Sequence, residues 1–345
     1  MKKAKPKKTT IADVARESGV SKTTVSRFLH DDYSSMSEET KDRIEAVIAR
    51  LGYRPNRVAQ SLKSDRSNSI GLTIADIGNP FSSLLIKGIQ AECRRNGSQL
   101  LVTDAGNDSD QEAENIESLL DAQVDGLIVN TTGGRGEDLR TLVSRPDSKP
   151  MVMVDRIESP IPCDSVSTDN AERTVELIRH AADHGFNAIV FVTEDPAAIS
   201  TRRARADAVE RTLSADPALT GEVLILDRSD DAAVTAAFKN LPAVYPDRRL
   251  CIIANNDDML RTCIQILSDL DQTIGTDIGL CAFADDKWAC VSGPGITCID
   301  QSPYEMGQKA AQLLFERLDG SRTGPAECFT SPARLYPHAS TATTA

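Results

Sequence analysis

Apolar positions recur at helical spacing through the first fifty residues. Ile11, Val14 and Ala15 sit at i, i+3, i+4, the stripe of a short amphipathic helix, and Gly19 supplies a tight turn after it. Ser21 is placed to cap a second helix whose buried face is Val25, Phe28 and Leu29. A third helix starts at Ser37, carries Glu38 and Glu39 in its positive first turn and ends at Gly52; its Ile44, Val47, Ile48 and Leu51 complete a three-helix core. Tyr53-Arg54-Pro55-Asn56 breaks that helix. Residues 56–63 keep one or two turns of helical pattern without an apolar stripe able to hold them in water, so they should order only against a partner.

From Ile70 the period changes. Ile70–Ala75, Gln99–Thr103, Val124–Asn130 and Met151–Asp155 read as buried parallel strands, separated by helices near Phe81–Asn96, Gln111–Ala122 and Glu137–Val143. A second series follows, with strands at Ala188–Thr193, Val223–Leu226, Cys251–Asn255 and Ile278–Phe283. Its helices fall near Ala171–His184, Arg205–Leu213, Ala232–Leu241, Met259–Leu270 and Tyr304–Leu318. The pattern predicts an α/β core of two doubly wound lobes behind an all-α head, with a small ligand between the lobes at the carboxyl ends of the strands. The divisions are a head over 1–55, a hinge and linker over 56–69, a core over 70–337 and a disordered tail over 338–345.

What the second helix leaves exposed is Lys22, Thr23, Ser26 and Arg27, with Thr24 on the same turn. Hydroxyls and long cations at a helix N-terminus are the side chains that reach base edges and phosphates in a major groove, so the head reads as a helix-turn-helix. Charge divides accordingly. Residues 1–66 hold 15 Lys+Arg against 9 Asp+Glu, a net of +6, and the rest holds 24 against 42, a net of −18. An acidic protein with a basic head meets DNA through the head. The run Lys2-Lys3-Ala4-Lys5-Pro6-Lys7-Lys8 precedes no apolar stretch and reads as an arm near phosphates; neither a membrane partner nor a location outside the cytoplasm is expected.

Other chemistry is thin. The eight cysteines never occur as C-x-x-C and mostly lie in apolar runs, where a thiol acts as a small hydrophobe. His180 and His184 lack a glutamate between them and read as a solvated helix face, and Gly133-Gly134-Arg135-Gly136 lacks the phosphate-loop form and reads as a flexible turn. No Ser-His-Asp or Cys-His set falls on strand ends. No enzyme activity, cofactor or metal is expected.

The head, Tyr53-Arg54-Pro55-Asn56-Arg57-Val58-Ala59-Gln60, Asn79-Pro80-Phe81, Val124-Asp125-Gly126-Leu127-Ile128, Val154-Asp155-Arg156, Ile252-Ile253-Ala254-Asn255 and Pro294-Gly295-Ile296-Thr297 together resemble the lactose/galactose repressor family over nearly the whole chain. That resemblance implies dimeric repressors with a periplasmic-binding-protein-like core, which closes around an effector and changes the order of paired hinge helices on a pseudo-palindromic double-stranded DNA operator. It implies that Lys22, Thr23, Thr24, Ser26 and Arg27 touch operator bases and phosphates. Thr10, Tyr53, Asn56 and Arg57 would meet the DNA backbone, and Ala59 and Leu62 would contact the minor groove, Leu62 as a wedge.

For the effector, the resemblance points to Phe81, Ser82, Asn130, Asp155, Arg205 and Asn255. The strand that in many relatives ends Gly-Phe-Asp-Asp reads Ala282-Phe283-Ala284-Asp285, so an alanine replaces a carboxylate; Asp285 and Trp288 could remake the site, Trp288 as a stacking wall. Val25–Leu29, Ile74–Phe81, Asn255-Asn256, Lys287–Ala289 and Gln301–Gly307 are further similar to a branch that senses ketogluconate-type sugar acids. A sugar acid such as 2-keto-3-deoxygluconate then becomes the expected inducer, and hexuronate or gluconate catabolism the regulated process. The alternative is a catabolite-control regulator of the same fold answering to a phosphorylated carrier protein. The C-terminus has no leucine heptad, so a dimer is expected rather than a tetramer.

Overall fold

A computed structural model describes residues 9–29, 32–53, 66–145, 148–158 and 161–342. The chain divides into two compact units, residues 1–67 and 68–345. The hinge expectations at Asn56, Arg57, Ala59 and Leu62 lie outside the described residues.

The first unit holds α1 (Ile11–Ser18), α2 (Lys22–Phe28) and α3 (Glu38–Leu51). Each begins at a hydroxyl cap: Thr10, Ser21 and Ser37 accept the backbone N–H groups of Asp13, Thr24 and Thr40. Thr10 and Asp13 close a reciprocal capping box, and Gly19 and Gly52 end α1 and α3 in the left-handed region. Val14, Ala15, Val25, Ile44 and Val47 form the core, flanked by Ile11, Phe28, Leu29, Ile48, Leu51 and Tyr53.

The second unit is built on two six-stranded sheets among the described residues. The first lobe holds β1 (Ser69–Ile74), α4 (Pro80–Arg95), β2 (Gln99–Asp104), α5 (Ser109–Asp121), β3 (Gly126–Val129), α6 (Gly136–Val143), β4 (Met151–Val154) and β5 (Asp164–Thr168). The chain then crosses to the second lobe, which holds α7 (Asn170–Asp183), β6 (Ala188–Thr193), α8 (Ser200–Ala215), β7 (Thr220–Ile225), α9 (Asp231–Val244), β8 (Leu250–Ala254), α10 (Asp257–Asp269), β9 (Gly279–Phe283), α11 (Asp286–Ala289) and β10 (Thr297–Asp300). A second crossing leads to α12 (Pro303–Asp319) and β11 (Cys328–Ser331) on the first lobe, and a third to β12 (Arg334–Tyr336) on the second. The strand orders are β11-β5-β4-β3-β1-β2 and β12-β10-β9-β8-β6-β7, parallel except where β12 meets β10. Order reverses at β1/β3 and at β6/β8, the two points where a doubly wound sheet opens a crevice.

Several expectations are corrected here. The helix near Tyr304–Leu318, read with the second series, packs on the first lobe: Met306, Ala310, Ala311, Leu313 and Leu314 join the core with Leu85, Ile89 and the alternate residues of β1. Spacing shows that a helix is amphipathic but not which sheet it covers. Gln99–Thr103 and Val223–Leu226 were expected as buried strands, yet β2 and β7 are edges, with Leu101, Val102 and Ile225 exposed. β5 escapes a reading by hydropathy because Asp164 opens it. Burial works to raise that carboxyl's pKa, but hydrogen bonds from Arg317 and the Glu327 N–H, with the charges of Arg317 and Arg322, hold it below its usual value.

The end of the chain is not a free tail over 338–342. Ser340 and Thr341 are buried; the Ser340 hydroxyl takes the Thr297 N–H at 2.8 Å, and Thr341 Oγ1 meets Thr297 Oγ1 at 2.6 Å and His180 Nε2 at 2.9 Å. His180 and His184 are accordingly half-buried rather than a solvated face, with burial first and the neighbouring His184 second in lowering the His180 pKa. Six cysteines are buried, and Cys290 and Cys328 are exposed. No helix among the described residues is long and apolar enough to cross a membrane.

α4 and α12 approach so closely that Gly88 lies against the Tyr304 carbonyl and Gly307 against that of Leu85, where a Cβ would overlap backbone. Gly88→Ala is expected to cost about 1–3 kcal/mol by overpacking. Urea unfolding of the full chain checks this, and a midpoint equal to that of the wild type would contradict the packing described.

Candidate functional site

In the first unit, Lys22, Thr23 and Arg27 are exposed on α2 and Ser26 is partly exposed between them, so the structure brings the predicted reading face together. The guanidinium of Arg27 donates to Ser35 Oγ at 2.9 Å and lies 3.9 Å from Asp32. Thr24 and Thr10 are occupied differently. Thr24 Oγ1 pairs with the capping hydroxyl of Ser21 at 2.9 Å, and Thr10 Oγ1 donates to Asp13 Oδ2 at 2.7 Å. Their hydroxyls fasten helix N-termini, which present N–H groups and positive dipole ends suited to phosphate. Tyr53 is half-buried against the core of the same unit.

In the second unit a cleft lies at the two crevices. From the first lobe it is lined by Asp76, Asn79, Phe81 and Ser82 after β1, Asn130 after β3, and Asp155 and Arg156 after β4. From the second lobe come Ile199, Thr201, Arg202 and Arg205 at the start of α8, Asn255, Asn256 and Asp257 after β8, Phe283 at the end of β9, and Gln301 at the second crossing. Six of the predicted residues, Phe81, Ser82, Asn130, Asp155, Arg205 and Asn255, therefore meet. Asp76, Asn79, Arg156, Thr201, Arg202, Asn256, Asp257, Phe283 and Gln301 join them without having been singled out.

Arg205 is the centre of this arrangement and is 3 % exposed. Its Nε donates to Asn170 Oδ1 at 2.7 Å, one terminal nitrogen donates to the Asn255 carbonyl, and its Cζ lies 3.7 Å from the centroid of the Phe283 ring. Burial lowers its pKa to about 9, opposed by Asp155 and Asp257, so it is a cation at neutral pH. Burial also raises the Asp155 carboxyl, which Arg156 and Arg205 and a bond from Asn130 pull back. Asp155 adopts φ 64°, the left-handed turn that ends β4. Asn130 braces it, accepting from the Ala75 N–H at 3.3 Å and donating to the Val154 carbonyl at 3.2 Å.

Three arginines line this space. Arg156 comes from the first lobe and donates to the Thr131 carbonyl at 3.3 Å; Arg202 comes from the second and pairs with Glu194 at 3.0 Å. Burial, and then the charges of Arg156 and Arg228, lower the Arg202 pKa against the pull of Glu194, and Arg156 also acts to lower that of Arg205.

The lobes are closed on each other. Ser200 Oγ accepts the Ile157 N–H at 2.9 Å across the gap. Gly133, at φ 89°, lies against the Ala198 carbonyl, where any side chain would overlap it. Read from sequence as a flexible turn, it is buried as part of the interlobe contact. The cavity left between the lobes is about 50 Å³. That holds roughly a water or two, whereas small-molecule pockets run to about 300 Å³ and more, so a ligand must part the lobes to enter.

Asp285 and Trp288 do not line the cavity, and the stacking-wall expectation is corrected. The Trp288 ring packs on the core of the second lobe and its Nε1–H donates to Asp257 Oδ1 at 2.8 Å; Asp285 caps α11 and gives its own N–H to the same oxygen at 3.2 Å. Sequence offered a faint signal for Asp257, since it opens a helix after a strand end, but an acidic first-turn residue is also what any helix N-terminus favours.

A helical head with an exposed polar recognition face, joined in one chain to a two-lobed cleft, defines a DNA-binding regulator built on a ligand-binding core. Residues 10–56 match the profile described as bacterial regulatory proteins, lacI family, and residues 70–322 match the periplasmic binding protein domain. The chain belongs to the LacI family of bacterial transcriptional regulators. It is 36 % identical to the HTH-type transcriptional regulator PtxS of Pseudomonas aeruginosa, over 96 % of this chain and 95 % of that protein. It is 33 % identical to the HTH-type transcriptional regulator KdgR of Bacillus subtilis, over 94 % and 96 %. Its fold matches the lac repressor dimer bound to operator and the anti-inducer ONPF, with a TM-score of 0.82 at 22 % identity over 97 % of this chain and 100 % of that one. These relatives are regulators, not enzymes.

Burial first, and the charges of Asp285 and Asp258, raise the Asp257 carboxyl to about 6 against the bonds from Trp288 and Asp285. A raised carboxylate stabilises the fold below the unfolded value of 3.8 and loses that contribution as pH rises through about 6. Asp257→Asn, which keeps an acceptor for both N–H donors, is expected to be more stable than the wild type at pH 7 by up to roughly 3 kcal/mol, with the gain vanishing near pH 4. Thermal unfolding at both values checks this; a difference independent of pH would contradict it.

Proposed function

We propose that this protein is an effector-controlled repressor: a homodimer that binds a pseudo-palindromic double-stranded DNA operator in the cytoplasm and changes its grip when a sugar acid enters the cleft. The observation that carries the ligand class is the set of Arg156, Arg202 and Arg205, drawn from both lobes onto one small buried space. Like charges so placed repel in a medium of low dielectric, and an anion between them turns that repulsion into attraction. A guanidinium fork suits a carboxylate. Asp155, Asp257, Asn130 and Asn255 suit the hydroxyls of a polyol chain, the carboxylates accepting and the amides both accepting and donating. A neutral sugar would make no charge-assisted bond with these guanidinium groups.

Lys22, Thr23, Ser26 and Arg27 would read each half-site, with the N-termini behind Thr10 and Thr24 on phosphates and Tyr53, Asn56, Arg57, Ala59 and Leu62 beside the duplex. The exposed apolar residues of the edge strands, Leu101 and Val102 on β2 and Ile225 on β7, are the kind of surface a second copy covers. Effector and operator communicate only if the effector binds one core arrangement more tightly than another. Genes for the breakdown of gluconate or hexuronate are the targets that such a ligand implies.

Isothermal titration of the full chain with gluconate, 2-ketogluconate and 2-keto-3-deoxygluconate beside neutral hexoses, pentoses and purines tests this reading. Binding confined to the acids is expected. Arg156→Gln and Arg202→Gln should each weaken it by roughly ten- to a hundredfold, the usual worth of a charge-assisted hydrogen bond. A neutral sugar or purine bound more tightly than every acid would contradict the proposal. Operator affinity in a gel shift should fall steeply with salt as counterions are released.

A further inference from the structure

Asp257 is the first residue of α10, 6 % exposed and part of the cleft lining. Two donors converge on one of its oxygens: the Trp288 indole N–H at 2.8 Å and the Asp285 backbone N–H at 3.2 Å, both on Oδ1. Among the described residues Oδ2 accepts no hydrogen bond, and it is not one of the fully enclosed unpaired polar atoms. Two bonds on the same oxygen fix the plane of the carboxylate and leave the other oxygen for whatever occupies the cleft.

We propose that Trp288 is a positioning residue for ligand recognition, holding Asp257 so that Oδ2 is presented to a hydroxyl of the bound molecule. The inference rests on the ligand class proposed above. Trp288 is suited to the task because its ring is set against the core of the second lobe and it rides on α11, whose start is fixed by the Asp285 cap. The donor is therefore rigid. An indole N–H cannot be replaced there by water without admitting solvent beside a buried carboxylate. The groups around Asp257 are the cation of Arg205 from α8, Asp285 beside it and Asp258 next along α10, with the Cys298 thiol of β10 also within its field. Asp286, the first residue of α11, is bonded at 2.7 Å to His338, which lies beyond β12. The bond from Trp288 acts against the rise that burial imposes on the Asp257 carboxyl, so its removal makes that rise larger.

The chain has one tryptophan, so its emission reports this contact alone. Between about pH 4 and pH 8 the wild-type emission should pass through one transition near 6, absent in Asp257→Asn and retained in His338→Gln. With 2-ketogluconate as the probe, Trp288→Phe should raise Kd at pH 7 roughly tenfold, as expected for one lost hydrogen bond. It should also move upward the pH below which affinity declines, and, because the rise at Asp257 grows, cost stability at pH 7 that is regained near pH 4. No emission transition, or one that survives in Asp257→Asn, overturns the proposal. So does wild-type affinity in Trp288→Phe, or a loss of affinity equal at every pH. If 2-ketogluconate does not bind the wild type while the transition vanishes in Asp257→Asn, the sugar-acid reading falls and the Trp288–Asp257 contact stands.

Discussion

A fully buried arginine dictates much of what surrounds the cleft. Removing a guanidinium from water costs several kcal/mol unless its donors are met and its charge is balanced. Arg205 meets that demand through Asn170 at the first crossing, the carbonyl of Asn255 at the end of β8, the face of Phe283 at the end of β9, and the carboxylates of Asp155 and Asp257. Those partners come from both lobes and from the segment that joins them. Any change in the spacing of the lobes alters the balance around this one cation, so a molecule that enters the cleft acts on the whole core.

The crossings give that change a direction. Gln301 at the second crossing donates to Thr168 at the first at 3.1 Å, so the two segments that must bend together are bonded to each other. Arg205 reaches the same place through Asn170. Ligand chemistry and interlobe geometry thus share atoms, which is the physical content of coupling between distant sites. The interlobe contacts at Gly133 and Ser200 and the cavity of about 50 Å³ describe a closed arrangement, in which Arg156 already faces Arg202 and Arg205.

Much of the head and the strand-helix alternation was readable because each rests on local rules. The caps at Ser21 and Ser37 and the stops at Gly19 and Gly52 need only near neighbours, and the central strands β3, β4, β8 and β9 are apolar on both faces. Assignment of α12 to the first lobe, and of β11 and β12 to separate sheets, depends on the path of the chain between lobes, which periodicity does not carry. In the cleft, Arg205 and Asn255 were reached through family likeness. Arg156 and Arg202 were missed because a surface arginine and a cleft arginine are alike in sequence. Trp288 stands out in the sequence as chemistry, but only the structure shows its N–H turned onto Asp257. Asp257, at the start of α10, lines the cleft although nothing in its sequence context separates it from an ordinary acidic first-turn residue.

The central claim is that cleft and operator bias one equilibrium between core arrangements. Linkage then requires reciprocity: the factor by which 2-ketogluconate changes operator affinity must equal the factor by which operator changes 2-ketogluconate affinity. Measuring the dissociation constant of the sugar acid by titration calorimetry, with the protein free and then saturated with operator, tests this most directly. The account predicts a shift of at least about fivefold, matched in the reverse experiment. Equal affinity of the sugar acid for free and operator-bound protein would contradict it.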